Sequence, residues 1–132
     1  MLIMIIMNRT DRYRLEALIE LARIYPEARP SAELAVRRRI PAAYLSRLLA
    51  DLARSGLVHS RRGPGGGVAL ARPPGRIPVA TVVVPPAGDS ALPPALARLA
   101  DLVQDAAERA VAGLYLADLV RWEGRAAADY SI

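Results

Sequence analysis

Between residues 26 and 76 the chain is cut into short pieces by Pro26, Pro30, Pro41, Gly56 and the glycine-rich run RRGPGGG at 61–67. Proline removes a backbone donor and fixes φ, and glycine is the usual left-handed stop after a helix, so this stretch holds only short elements. Before it, Asn8 is placed to cap a helix through RTDRYRLEALIELARIY, with Leu15, Leu18, Ile19 and Ala22 at helical spacing. Ser31 is placed to cap a second helix, AELAVRR, that turns Leu34 and Ala35 inward. Pro41 suits the first position of a third helix over 42–55, which stops at Gly56. The apolar runs 57–60 and 68–71 flank the glycine-rich loop and read as a β-hairpin. Two short helices around a tight turn, followed by a hairpin, is the element order of a winged helix-turn-helix.

The third helix can be tested by phase. Leu45, Leu48, Leu49 and Leu52 share one side, whereas Ala43, Arg47, Ala50 and Arg54 share the other, flanked by Ser46, Tyr44 and Asp51. Small residues alternating with arginine suit a helix that enters a major groove, where arginine bonds guanine or phosphate. An amphipathic helix with solvated arginines gives the same periodicity.

In the loop, Arg61 and Arg62 precede the turn, and Gly63 and Gly65, Gly66 and Gly67 permit close backbone approach to a sugar-phosphate strand. A nucleotide-binding loop is excluded, because no Lys-Ser/Thr follows the glycines and a strand follows instead of a helix. Arg37, Arg38 and Arg39 end the second helix as a phosphate clamp or as a solvated cluster favoured by the helix dipole.

The distribution of charge agrees with a polyanionic partner for the first part. All eighteen basic residues are arginine, and the net charge is +5. Residues 1–80 hold fourteen Arg against six acids, and residues 81–132 hold four against seven. The chain has no cysteine, so it offers no disulfide, thiolate nucleophile or cysteine-ligated metal. No nucleophile–base pair or spaced metal-ligand set is present, which argues against an enzyme. His59, the single histidine, reads as ordinary, and Asp101, Asp105 and Glu108 read as a solvated helix face. The opening MLIMIIM is too short to span a bilayer and lacks the features of a secretory signal. It reads as a strand, a tail or anchor, or sequence ahead of a start at Met4 or Met7. A soluble cytoplasmic protein is the expectation.

Past the hairpin, RPPGRIP reads as a turn, VATVVV as a short helix or strand, and PPAGDSALPP as a linker. A long helix over 94–112 follows, with Leu96, Leu99, Leu102, Val103, Ala106 and Val111 in one apolar stripe. That stripe packs on a partner or back on its own domain. YLADLVRW closes the ordered part, with Trp122 capping a dimer core and the Ala-rich tail frayed.

The stretch IPAAYLSRLLADLARSGLVHSRRGPGGGVALARPP resembles the signature of the Rrf2 family of bacterial transcription regulators, which includes IscR, NsrR and CymR. Ile40, Tyr44, Leu45, Leu52, Gly56, Leu57, Val58, Ser60, Arg62, Gly63, Gly66, Gly67, Leu70 and Ala71 fall on its pattern, and LYLADLV resembles its close. The resemblance implies a homodimer that places two recognition helices on a palindromic operator in double-stranded DNA. Several relatives bind an iron–sulfur cluster through three cysteines after the wing, where this chain reads VPPAGDSALPPA, so no cofactor is expected. Ser46-Arg47 replaces the frequent Glu-Gln, Arg39 replaces a glycine, and Val68 replaces a tyrosine.

The expectation is a mainly α fold with a small β-hairpin: a winged helix-turn-helix over 8–84, then linker and dimerisation helices over 85–132. DNA contacts are assigned to Ser31, Arg37, Arg38, Arg39, Ala43, Tyr44, Ser46, Arg47, Arg54, Ser60, Arg61, Arg62, Gly63, Gly65 and Gly66. The function expected is that of a DNA-binding regulator, a repressor, with any small-molecule or protein effector unassigned and no membrane partner. The other class is a winged-helix protein-interaction module that does not bind specific DNA.

Overall fold

The computed structural model describes residues 8–83 and 91–130. MLIMIIM and most of the linker PPAGDSALPP lie outside the described residues. Among the described residues, five α-helices and one two-stranded antiparallel hairpin form the main elements.

Helix α1 spans Arg9–Arg23, and the Asn8 side chain accepts the Asp11 N–H at 2.9 Å as expected of a cap. Helix α2 spans Ser31–Arg38 and α3 spans Ala42–Arg54. Helix α2 is entered one residue earlier than expected, whereas α3 begins at Ala42 with the preceding proline outside it. Pro30 occupies the cap of α2 and makes no side-chain bond, so Ser31 is its first helical residue and not its cap. Pro41 likewise sits at the cap of α3 instead of its first position. The reason is shared: each proline combines its ring-fixed φ with an extended ψ, of 139° and 126°, so helical geometry begins at the next residue.

The C-terminus of α3 closes as its sequence predicts. Gly56 takes φ +77°, its N–H reaches the Ala53 carbonyl at 3.0 Å, and the Leu57 N–H reaches the Leu52 carbonyl at 3.0 Å. These two bonds satisfy carbonyls left open by the last turn. Helix α2 ends the same way without a glycine. Arg39 adopts φ 55° and ψ 46°, and Ile40 bonds back to Ala35 at 2.9 Å.

Strands β1, Val58–Arg61, and β2, Gly67–Leu70, pair with Val58 opposite Leu70 and Arg61 opposite Gly67, one residue offset at each end from the expectation. Arg29 adds a short third rung. Its N–H and C=O both bond Val68 at 2.9 Å, which ties the wing to the α1–α2 connection.

Beyond the wing lie two single 3-10 turns, Pro74–Arg76 and Val79–Thr81, then α4 over Pro94–Val111 and α5 over Leu116–Tyr130. Helix α5 corrects the expected fraying: the chain stays helical through Tyr130. Asp118 accepts the Tyr115 N–H at 2.8 Å at the start of that helix, and alanine, the best helix former, dominates its end. The last helix also returns to the front of the chain. Leu116 is fully buried beside Ile77, and Leu119 and Val120 pack on the same core. Val79 N–H to Leu114 and Leu116 N–H to Ile77, both 2.9 Å, stitch the two segments together. Leu18, Leu21, Leu34, Leu45, Leu70, Ile77 and Leu116 are the fully buried centre, drawn from α1, α2, α3, β2, the post-wing segment and α5.

Candidate nucleic-acid interface

Burial of Leu45, Leu48, Leu49 and Leu52 fixes the rotation of α3, as the phase argument requires. Ala43, Ser46, Arg47, Ala50, Ala53 and Arg54 therefore face solvent. Tyr44 does not join them fully. Its ring meets Tyr13 of α1 edge-on at 5.7 Å, and its hydroxyl lies 2.5 Å from that of Thr10. The Arg47 guanidinium sits 5.8 Å from the centre of the same ring. Arg54 hydrogen-bonds Asp51 one turn back, so its charge is partly answered within the helix.

The wing runs beside this helix. Ser31 from α2, Ser46, Leu49, Ala50 and Ala53 from α3, and Val58, Ser60 and Val68 from the wing enclose an open groove of about 200 Å³. Three hydroxyls from three elements thus border one groove, with Arg47 next to Ser46 and Arg61 next to Ser60 in the chain. Arg39, Arg47, Arg61 and Arg62 are exposed and have no acidic partner among the described residues.

The glycines of the loop divide by role. Gly63 and Gly65 have open space around them. Gly66 and Gly67 do not: a side-chain carbon would lie 2.5 Å from the Arg61 carbonyl oxygen at Gly66 and 2.3 Å from the Arg29 carbonyl oxygen at Gly67. The close backbone approach at these two glycines is to the protein's own chain, and it shapes the wing tip.

The three arginines ending α2 are separated by the structure. Arg38, with its side chain 14% exposed, donates to Glu20 at 2.9 Å and to both oxygens of Glu123 of α5 at 3.0 and 2.7 Å. Arg37 donates to Glu20 at 3.2 Å, and Arg29 lies 3.5 Å from it. Only Arg39 projects free of this network. Hydrogen bonding to Arg38 holds the Glu123 carboxyl below its ordinary pKa and raises that of Arg38. Sequence reasoning missed Glu20, Glu123, Arg29 and Thr10. Glu20 gave a readable signal, since it sits among Ala17, Ile19 and Leu21 on the buried part of α1.

On α4, Leu96, Leu99, Leu102 and Val103 are 50, 55, 50 and 36% exposed, and Ala106 is exposed beside them. Val111 departs from the expected stripe: it packs on the core of its own chain, where the helix end meets the body, and Ala107 is buried. Trp122 of α5 is 46% exposed. Asp101, Asp105 and Glu108 are solvated on α4, and no group of three or more His, Cys, Asp or Glu among the described residues is arranged to hold a metal ion. No helix of the described residues is long and apolar enough to cross a membrane.

Comparison with known proteins gives a consistent picture. The family model for Rrf2, described as iron-dependent transcriptional regulators, matches residues 7–122. The chain is 42% identical over 73 residues to the transcriptional regulator IscR of Xenorhabdus nematophila, covering 54% of this chain and 44% of that protein. It is 41% identical over 80 residues to IscR of Cereibacter sphaeroides, covering 58 and 52%. The match thus spans about half the length of these relatives. Among solved structures, IscR of T. potens superposes with a TM-score of 0.77 at 26% identity, covering 90% of this chain and 88% of that one. CymR of B. subtilis, described as its global cysteine regulator, superposes with a TM-score of 0.70 at 27% identity, covering 88 and 96%. The iron in the family description finds no thiolate here, because the chain contains no cysteine. A cysteine-ligated cluster does not fit these residues. From residue 7 to residue 122 this chain belongs to the Rrf2 family, a family of winged-helix transcriptional regulators and not of enzymes.

Proposed function

We propose that the protein is a sequence-specific DNA-binding transcriptional regulator, a repressor, that acts in the cytoplasm as a homodimer on a palindromic operator without an iron–sulfur cluster. Helix α3 enters the major groove with Ala43, Ser46 and Arg47 toward the bases. Arg61, Arg62, Gly63 and Gly65 of the wing follow the adjacent backbone, and Arg39 reaches a flanking phosphate. Arg37 and Arg38 contribute through the fold, since their charges are met by Glu20 and Glu123. Leu96, Leu99, Leu102 and Val103 of α4, within the 85–132 segment, pair with a second copy.

One observation carries this reading. Helix α3 and the wing border a single groove, and the arginines beside it, Arg47, Arg61 and Arg62, lack acidic partners among the described residues. A purely structural basic face gains from pairing its charges; a face left unpaired around a hydroxyl-lined groove suits a phosphate-bearing strand. Selection of bound fragments from the source genome tests it. Enrichment of a small set sharing a two-fold symmetric motif is expected. Recovery of no fragment above bulk DNA at low salt favours the protein-interaction module instead.

A further inference from the structure

We infer that Tyr44 is a positioning residue that aims Arg47 at a guanine, so that this pair supplies a large share of operator discrimination. The inference rests on the DNA-binding reading above and adds to it which side chain reads, which base it reads and what holds it in place.

Three observations converge. First, the arginines near α3 are not equivalent. Arg54 is bonded to Asp51, and Arg38 is enclosed by Glu20 and Glu123, whereas Arg47 has no acidic partner among the described residues. Second, Arg47 lies between Ala43 and Ala50 on the outward line of the helix, so its neighbours are too short to keep a base edge away. A lone guanidinium between methyl groups can reach the floor of the major groove, where O6 and N7 of guanine accept two parallel N–H bonds. Third, the guanidinium lies over an aromatic ring. It lies within the roughly 6 Å range of attraction to an aromatic face, 5.8 Å from the Tyr44 ring centre. That ring is itself fixed from outside α3, edge-on to Tyr13 at 5.7 Å and by its hydroxyl against Thr10 at 2.5 Å.

The chain of support runs from α1 to Tyr44 to Arg47. A long side chain held in one orientation before binding loses less rotamer freedom when it docks. An attraction to the ring through the cation's charge takes up none of the guanidinium N–H donors in an ion pair and leaves them for a base. The hydroxyl of Ser46, which is shorter, would select among the remaining contacts.

The test uses the full chain on a duplex selected from a randomised pool, with each guanine replaced in turn by 7-deazaguanine, which lacks the N7 acceptor. For the wild-type protein, replacement at one guanine per half-site is expected to lower affinity about 10- to 100-fold. Arg47→Ala should bind the guanine and 7-deazaguanine duplexes alike. Tyr44→Leu should lose about 2- to 5-fold of the guanine preference, Tyr44→Phe, which keeps the ring and its Tyr13 contact but not the Thr10 bond, should lose less than Tyr44→Leu, and Tyr44→Leu should change nothing further in an Arg47→Ala background. A melting temperature near that of the wild type qualifies each variant, and Tyr44→Met, which fills the space without an aromatic face, takes the place of Tyr44→Leu if the latter does not fold. Guanine preference that survives Arg47→Ala, or that ignores loss of the ring, overturns the inference while leaving the regulator reading standing. A wild-type protein that prefers no duplex overturns both.

Discussion

Arg38 and Glu123, 85 residues apart in sequence, form a two-pronged ion pair with N–H···O distances of 3.0 and 2.7 Å. It joins the end of α2 to the middle of α5, and Glu20 of α1 completes it from the other side at 2.9 Å. The helix that follows the proposed dimer helix is thereby fastened to the proposed DNA-binding unit.

Breaking this fastening should be measurable as stability. Arg38→Ala leaves Glu20, only 7% exposed, without its best-placed partner, and is expected to destabilise by about 3 kcal/mol. Glu123 is a third exposed, so Glu123→Gln is expected to lose only about 1 kcal/mol after solvent screening. Chemical denaturation of both variants checks the order; equal and negligible effects would mean that the network does not hold α5.

The same pair sets an acid limb. The folded Glu123 carboxyl is held below its ordinary pKa by the hydrogen bonds from Arg38, so between the folded and unfolded values the unfolded chain binds more protons. Its stabilising contribution is present above the ordinary carboxylate range, near pH 4 to 5, and is lost as pH falls through the lower folded value. Thermal melts from pH 7 down to 3 should show a shallower decline for Glu123→Gln than for the wild type. Parallel declines would count against the pair.

Arg39 offers a gain. It closes α2 with φ 55°, a conformation that disfavours a side chain by about 1–2 kcal/mol, offset in part by the greater freedom of an unfolded glycine. Arg39→Gly is expected to stabilise by about 0.5–1 kcal/mol while weakening DNA binding, since the proposed phosphate contact is removed. A variant that melts lower than the wild type would show that the arginine side chain does structural work at this site.

The wing gives a paired comparison. At Gly67 a methyl group would meet the Arg29 carbonyl oxygen at 2.3 Å, with φ already at +132°, whereas Gly65 has open space at φ +73°. Gly67→Ala is expected to destabilise by about 3 kcal/mol and Gly65→Ala by about 1 kcal/mol. Hydrogen exchange at the Val68 and Arg29 amides, whose bonds cross this contact, should speed up only in the first variant.

These elements show how far the sequence could be read. Helix phase, Gly56 as a stop and the hairpin around RRGPGGG were legible because each is set by neighbours a few residues away. The residues carrying the groove were legible for the same reason: burying four leucines on α3 fixes which side chains face out. What was not legible depended on distant partners. Nothing near Arg38 shows that Glu123 lies 85 residues later, so three adjacent arginines read alike, as a clamp or a solvated cluster, when of the three only Arg39 lacks an acidic partner among the described residues. Gly66 and Gly67 read as open backbone because their obstacles, Arg61 and Arg29, are brought in by the turn and by the strand bridge. Val111 satisfied the apolar stripe by spacing, yet the body of its own chain covers it.

The most direct measurement is equilibrium binding of the full chain to a selected genomic fragment and to bulk DNA across a range of salt concentrations. The account predicts a clear preference for the fragment and an affinity that falls steeply with salt, by a slope of about 0.9 per phosphate contacted. Arg62→Ala should reduce that slope by about 1 with little change in sequence preference, and Arg47→Ala should relax the preference itself. Affinity that is indifferent to salt, or equal for the fragment and bulk DNA at low salt, would contradict it.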